Sequence, residues 1–391
     1  MSVFDELLAA PAGEPKALLH SCGAGRDLLF RVPVETLEVG IEDVADAFDR
    51  LRAFLARHRD RVAVGYCGYD LRDAVEPLPH RIDDDWPLPV LRFVAFAEVL
   101  ESSSEPVPPA PSVHGTLAPH LSRADYEALV AEVVEHIRAG DIFQANLTQP
   151  FTGTFEGDAR ALFWRLCEVS PAPFAAYLDD GRGHAVLSSS PEELVRRDGD
   201  RLRTRPIKGT RPRHAEPSRD RALLAELLTS EKDLAELAMI VDLLRNDFGK
   251  VAATGSVAVG PFPEHASFAQ VHHLFATVTA RLRSGLDHVD VLRAIFPGGS
   301  ITGAPKLRAM EILEELELVR RGVYTGAIGF VGPGDRMHLN VAIRTMQVAG
   351  SKVRCNAGGG ITADSDPAME FDETIAKARG MMRALGVEPE A

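Results

Sequence analysis

A chain of 391 residues has room for one large domain or two ordinary ones, each with a substantial buried core. Hydrophobic residues at 45% and charged residues at 26% fit a globular protein and exclude a disordered chain or a fibre. With 43 basic against 57 acidic side chains the formal net charge is -14, which argues against nucleic acid or an anionic membrane as partner. A protein this acidic can bind an anion only by concentrating positive charge locally. Cys22, Cys67, Cys167 and Cys355 are far apart and show no C-x-x-C spacing, so neither a disulfide framework nor a zinc site is expected, and the thiols read as reduced. Met1-Ser2-Val3-Phe4-Asp5-Glu6 carries acids where a secretion signal needs bases, and no eighteen apolar residues run together. A cytoplasmic location is the expectation.

In chain order, residues 42–58 place Val44, Ala47, Phe48, Leu51 and Leu55 at helical spacing, and residues 62–69 follow as a strand. Glu101-Ser-Ser-Ser-Glu-Pro-Val-Pro-Pro-Ala-Pro-Ser112 has a composition that extends and does not pack. It reads as a surface connection, near 101–115, between an N-terminal segment (1–115) and a main body (116–391). Ser122, with Asp125 three residues on, opens a helix whose face is Tyr126, Leu129, Val130, Val133, Val134 and Ile137, and Gly140 stops it. Strands are predicted over 141–149, 175–178 and 184–189, and helices over 219–228, 230–248 and 287–295.

Arg205-Pro-Ile-Lys-Gly-Thr-Arg-Pro-Arg213 reads as a rigid turn holding Lys208. The prolines fix the backbone, Gly209 admits a close neighbour, and Ile207 gives the lysine an apolar one. A desolvated ammonium among cations has its pKa lowered, and the neutral amine is a nucleophile. A surface turn with solvated charges is the other reading of these nine residues alone.

Ser230-Glu-Lys-Asp233 caps a helix on which Glu236 shares the inward side of Met239 and Ile240. A carboxylate there needs a salt bridge or a cation, because leaving it unpaired costs several kcal/mol. Near the C-terminus Asp366-Pro367 opens a helix on which Glu370, Glu373 and Lys377 fall within ~60° of one another. They either pair among themselves or serve a ligand. Gly358-Gly359-Gly360 just upstream favours the ligand, as a nest of backbone N–H groups for an anion. A divalent cation between carboxylates and anion completes the arrangement, and hard oxygen donors favour Mg²⁺ over zinc. Residues 296–306 form a Gly/Pro loop leading into a helix over 307–316. A strand over 339–348 carries Arg344, which is either outward-facing or a planar fork for a carboxylate, with Tyr324 as a further donor.

Taken together, these residues resemble the chorismate-utilising enzymes. The resemblance rests on Gly140-Asp-Ile-Phe-Gln-Ala-Asn-Leu147, Ser189-Ser-Pro-Glu192, Pro206-Ile-Lys-Gly-Thr210, Met239-Ile-Val-Asp-Leu-Leu-Arg-Asn-Asp247, Gly303-Ala-Pro-Lys306, Tyr324-Thr-Gly-Ala-Ile-Gly329, Ile343-Arg-Thr345 and Gly358-Gly-Gly360. More loosely, Ala17-Leu-Leu-His-Ser21 and Gly65-Tyr-Cys-Gly-Tyr-Asp70 also look like that family. It implies an α/β (α+β) fold, a single large sandwich of two antiparallel sheets with outer helices, to which residues 1–115 contribute and whose chorismate-binding region is 116–391. In the family's Pro-Ile-x-Gly-Thr motif, anthranilate synthases carry alanine and aminodeoxychorismate synthases typically carry lysine. Lys208 therefore implies amination of chorismate, in para-aminobenzoate and folate synthesis, through a covalent lysine intermediate.

By the same resemblance Glu192 is the acid/base, and His273 stands near the leaving hydroxyl. Glu236 and Glu373 ligate Mg²⁺, with Asp233 and Glu370 holding its waters. Lys377 and Gly360 meet the ring carboxylate; Arg344, Tyr324 and Gly358 meet the enolpyruvyl carboxylate; Ser300 lies close to substrate. Those cations would let an acidic protein bind a dianion. Without a recognisable glutaminase signature, ammonia is expected from a separate glutamine amidotransferase subunit. Anthranilate or isochorismate formation on the same fold, and a non-catalytic chorismate-binding scaffold, are the competing readings.

Overall fold

In the computed structural model, which describes residues 3–11, 13–23, 25–78, 86–105, 107–268 and 271–388, alternating apolar and polar residues build long antiparallel ladders. The largest sheet runs, each strand pairing the next, through Ala258–Val259, Val278–Arg281, Arg201–Arg205, Glu193–Asp198, Arg336–Val341, Ala327–Gly332, Val62–Cys67 and Leu91–Ser103. It continues through Arg26–Val39, Lys16–His20, Phe174–Asp179, His184–Ser190, Thr345–Ala349, Lys352–Ile361 and Gln144–Glu156. Strands of the first hundred residues thus occupy the middle of the order. Phe174 meets His338 edge-on and its carbonyl accepts from Asn340 Nδ2 at 2.9 Å, although their strands are well separated in this order, so the sheet curls back on itself. A second sheet of three strands, Ile207–Pro212, Val271–Phe275 and Glu264–Ser267, carries Lys208 and His273.

Helices cover the outside, each by its apolar stripe. Ala159–Val169 and Pro367–Ala384 bury Leu162, Phe163, Leu166, Ala378 and Met381 in one cluster. Ala47–Arg57, Glu231–Gly249 and His288–Ile295 bury Phe48, Leu51, Leu237, Phe248 and Leu292 in another. The expected caps form: Ser122 accepts from Asp125 N–H, Ser230 from Asp233 N–H and Asp366 from Met369 N–H. No helix among the described residues is long and apolar enough to cross a membrane.

Several local expectations are corrected. The helix over 42–58 begins as a 3₁₀ segment, Ile41–Asp46, and the strand over 62–69 ends at Cys67 before another, Tyr69–Ala74. The stretch 101–115 is not wholly a surface connection. Residues 101–103 finish strand Leu91–Ser103, Val107 and Ala110 pack on a core cluster, and Trp164 Nε1 donates to the Pro108 carbonyl at 2.8 Å.

Three further corrections bear on the site. Lys208 lies on a strand, not in a turn, and Gly209, at φ +71, makes a bulge that shifts the register between Lys208 and Thr210. The strand over 339–348 breaks in two around Arg344, whose φ is +51. Gly358–Gly360 is extended strand paired with residues 146–148, so it cannot be a nest, which needs alternating backbone handedness.

Candidate active site

Four segments converge on Lys208. Its own strand presents the amine towards helix Glu231–Gly249, and Lys208 Nζ lies 4.0 Å from Glu236 Oε2, with the side chains 14% and 18% exposed. Gly209 makes that approach feasible, since a Cβ there would sit 2.9 Å from Leu227 Cδ1 and 3.0 Å from Asp233 Cγ. From the third segment, a Cβ at Gly360 would lie 3.6 Å from Lys208 Nζ. The fourth is helix Pro367–Ala384, where Lys377 Nζ lies 2.6 Å from Glu373 Oε1 and donates to the Gly358 carbonyl at 2.7 Å. The glycines thus serve by lacking side chains: a Cβ at Gly359 would stand 2.7 Å from Glu370 Oε2 and 3.5 Å from Glu373 Oε1.

The electrostatics follow from burial. Desolvation lowers the pKa of Lys208, opposed by Glu236 and helped by Lys377, which favours the neutral amine. Glu192 is 5% exposed, and burial raises its carboxyl to about 7. That rise is limited by a hydrogen bond from Ser300, the Lys208 charge and the Ile207 N–H. Glu192 and Lys208 are thus a buried acid and a buried amine whose ordinary charge states both cost desolvation.

Arg344 has its pKa lowered by desolvation and makes no side-chain hydrogen bond or ion pair among the described residues, so its guanidinium is free for an anion. Tyr324 is 4% exposed, and its hydroxyl likewise has no protein partner among them. His273 is placed differently from the others. Its Nδ1 lies 2.8 Å from Thr210 Oγ1, in the row beside Thr210, whereas Lys208 faces Leu274. With Ile207 and Phe275 it lines a cavity of about 660 Å³ on the other face of the three-stranded sheet. Burial, then the Arg344 charge, lowers its pKa to about 4, so the ring is neutral at pH 7. Its neighbour His272 is bound to Asp220 and Ser267.

The proposed cation ligands are split between two helices. Asp233 is engaged by Arg211 Nη2 at 3.1 Å, and Glu373 by Lys377. Glu370 is buried; Ser365 Oγ donates to its Oε1 at 2.7 Å, while Oε2 has no partner. Among the described residues no three acidic, histidine or cysteine side chains are gathered closely enough to hold a metal. All-oxygen donors and an orphaned carboxylate oxygen suit a hard dication in chemistry.

One residue of the cluster was missed. Gln144, 1% exposed, opens strand Gln144–Glu156, its Nε2 2.2 Å from where a Gly360 Cβ would be and its Oε1 unpartnered. Its place inside the 140–147 motif, on the inward side of an alternating strand, was the available signal. Asp247 and Lys306 anchor the 297–306 loop: Lys306 Nζ donates to Asp247 Oδ2 at 2.7 Å and to the Pro297 carbonyl at 3.0 Å.

Lys208, Glu236, Glu373 and Lys377 thus set two amines against facing carboxylates beside the antiparallel sheets. The chain belongs to the chorismate binding enzyme family, whose pattern matches residues 14–383, and it is a chorismate-utilising enzyme. Aminodeoxychorismate synthase component 1 of Klebsiella aerogenes is 41% identical over 350 residues, covering 83% of this chain and 77% of that one. Anthranilate synthase component 1 of Streptomyces coelicolor is 45% identical over 277 residues, 70% of this chain and 54% of that one. In structure, anthranilate synthase component I from Streptococcus pneumoniae superposes with a TM-score of 0.81 at 28% identity, covering 98% of each chain.

Proposed function

We propose that the chain aminates chorismate at C4, giving 4-amino-4-deoxychorismate and water, with ammonia delivered by a separate glutamine amidotransferase subunit. The observation that carries this reading is a buried lysine amine, biased towards neutrality and set beside a buried carboxyl of pKa about 7.

In the proposed reaction the Lys208 amine attacks ring carbon C2, the ring double bond shifts, and the C4–O bond breaks. Glu192, protonated in roughly half of molecules near pH 7, gives its proton to the departing hydroxyl, which leaves as water. Its carboxylate then takes the excess proton from the nitrogen bonded at C2. Ammonia enters at C4 and the C2–N bond breaks as Glu192 gives that proton back to the departing nitrogen, so the product forms as its ammonium and the free amine returns to Lys208; splitting the substitution into two steps lowers each barrier. Arg344 and Tyr324 would hold the enolpyruvyl carboxylate, and Lys377 with the Gly360 backbone the ring carboxylate. Glu236 and Glu373, with Asp233 and Glu370 behind them, would hold Mg²⁺, which when bound supplies Lewis-acid polarisation of the ring carboxylate.

A second reading, anthranilate formation, is supported by the 45% identity to an enzyme of that name. The test is Lys208→Ala with chorismate and ammonium, products separated by chromatography. Wild type should yield aminodeoxychorismate and the variant none; wild-type product at an undiminished rate from the variant removes the nucleophile, and anthranilate from the wild type removes the amination. Absence of any turnover by the wild type with its ammonia source would favour a binding subunit.

A further inference from the structure

Arg321 has no part in the chemistry proposed above, yet it is one of the largest side chains shut away from solvent, at 1% exposure. It follows helix Lys306–Leu316 and begins the turn that carries Tyr324. Every N–H of its guanidinium finds a protein acceptor. Nε and Nη2 donate to the two carboxylate oxygens of Glu317 at 2.8 and 2.7 Å, and Nη2 also to the Asn146 carbonyl at 2.6 Å. Nη1 donates to the Ile301 carbonyl at 3.0 Å and to Thr325 Oγ1 at 3.3 Å. The Tyr69 ring lies against the plane of the fork, 4.5 Å away. Burial opposes the charge, but Glu317 outweighs it, so the fork stays protonated.

The segments it joins are those of the candidate site. Asn146 pairs with Gly360 and Thr148 with Gly358, and Glu317 grips the same strand by accepting from Thr148 N–H at 3.1 Å and Thr148 Oγ1 at 2.9 Å. Ile301 is the residue after Ser300. The turn itself is strained: Thr325, a β-branched residue, stands at φ +60. Its hydroxyl accepts from Arg321 and donates to the Tyr324 carbonyl at 2.6 Å, while Tyr324 N–H donates to the Arg321 carbonyl at 3.1 Å. Through one hydroxyl the fork thus reaches the peptide that aims Tyr324.

We propose that Arg321 is a positioning residue for chorismate, holding the 321–326 turn in its strained form so that the Tyr324 hydroxyl meets a substrate carboxylate. It acts through Tyr324 and touches neither substrate nor reacting atoms. A buried ion pair is by itself a weak source of stability, because the lost hydration of both charges offsets their attraction. Five directed hydrogen bonds supply what an apolar side chain of the same volume cannot, a fixed placement of strand Gln144–Glu156, the loop at Ile301 and the turn relative to one another. This rests on the reading of Tyr324 as a substrate contact, and on nothing about which product forms.

The test follows chorismate consumption by the full chain with Mg²⁺ and ammonium, whichever product appears. Thr325→Ala removes the hydroxyl between the fork and the Tyr324 carbonyl, and should raise KM for chorismate about fivefold, the weight of one net hydrogen bond. Thr325→Ser keeps the hydroxyl and should keep the wild-type KM. Arg321→Lys retains the charge beside Glu317 without the planar fork, and should raise KM about 10- to 100-fold with a smaller fall in kcat. Tyr324→Phe alone should raise KM about tenfold, and should add little to Arg321→Lys, in which the same contact is already lost.

A side chain that only fastened the core would shift the urea midpoint and leave KM of the folded variants unchanged. Should Arg321→Lys fail to fold, the Thr325 pair still reads the link: a raised KM in the alanine variant, restored in the serine one, supports the proposal, and a wild-type KM in both overturns it. Tyr324→Phe with a wild-type KM takes the tyrosine out of the site, and the proposal falls with that reading. A raised KM for Tyr324→Phe beside wild-type values for Thr325→Ala and Arg321→Lys overturns the role of Arg321 alone. So does a double variant of Arg321→Lys and Tyr324→Phe in which the two effects multiply.

Discussion

Replacing Glu192 by glutamine should stabilise the protein while removing its activity. Burial holds this carboxyl at about 7, against 4.5 for an ordinary glutamate, so the native state binds a proton that the unfolded chain has already released. The sign follows: the stability contributed by the protonated group is fully present below pH 4.5 and is lost as pH rises through 7. The gap between the two values corresponds to about 3 kcal/mol. Glutamine keeps the shape, and an acceptor for the Ser300 hydroxyl, without the charge. The variant should therefore exceed wild type by well under about 1 kcal/mol at pH 4.5 and by about 3 kcal/mol at pH 8. Equilibrium urea denaturation at the two pH values reads the difference, in which titrating groups remote from Glu192 cancel. Turnover should fall by about two to four powers of ten, the usual contribution of a positioned acid/base. A stability difference that does not grow with pH, or a variant that aminates chorismate normally, would refute the reasoning.

Arg344→Ala should raise KM for chorismate about 30-fold or more at a smaller cost in kcat, since one charge-assisted carboxylate contact is worth about 2–3 kcal/mol; steady-state kinetics separates the two. Chelation with EDTA should abolish turnover, Mg²⁺ should restore it, and Glu236→Gln should raise the Mg²⁺ concentration needed; calorimetry should also show tighter chorismate binding with Mg²⁺ than without. Lys306→Met should cost about 2–3 kcal/mol in urea denaturation, because Asp247, at 1% exposure, keeps only Lys250 as a charged partner. That cost stays below the one for a wholly unpaired buried charge.

What the chain announced in advance was local or chemical. The caps at Ser122, Ser230 and Asp366 involve residues three apart, so they are set before any tertiary contact forms. Glu370, Glu373 and Lys377 share a helix face for the same reason. The site's backbone was hidden, because its features depend on partners distant in sequence. The bulge at Gly209 lies where a Cβ would meet Leu227 and Asp233, on a strand paired with Val271–Phe275. Three glycines in a row read equally well as a nest or as a bare strand, and only pairing with residues 146–148 decides between them. Gln144 escaped for the same cause: it meets Gly360 from far along the chain, and no spacing rule reports such a meeting.

The arrangement also explains how a chain of net charge -14 can take up a dianion. Its cations are not idle without ligand: Lys377 is held by Glu373 and the Gly358 carbonyl, and Lys208 lies nearest Glu236. A substrate carboxylate must therefore compete with protein carboxylates for the same ammonium groups. A dication drawn to Glu236 and Glu373 would end that competition, freeing Lys377 and leaving the carboxylates satisfied. Anion and cation affinities should then support each other reciprocally, as linkage requires of two ligands that bias one site. Arg344 stands outside this exchange, since no carboxylate among the described residues holds it, and on the proposed reading it would give the dianion a first contact that costs no ion pair.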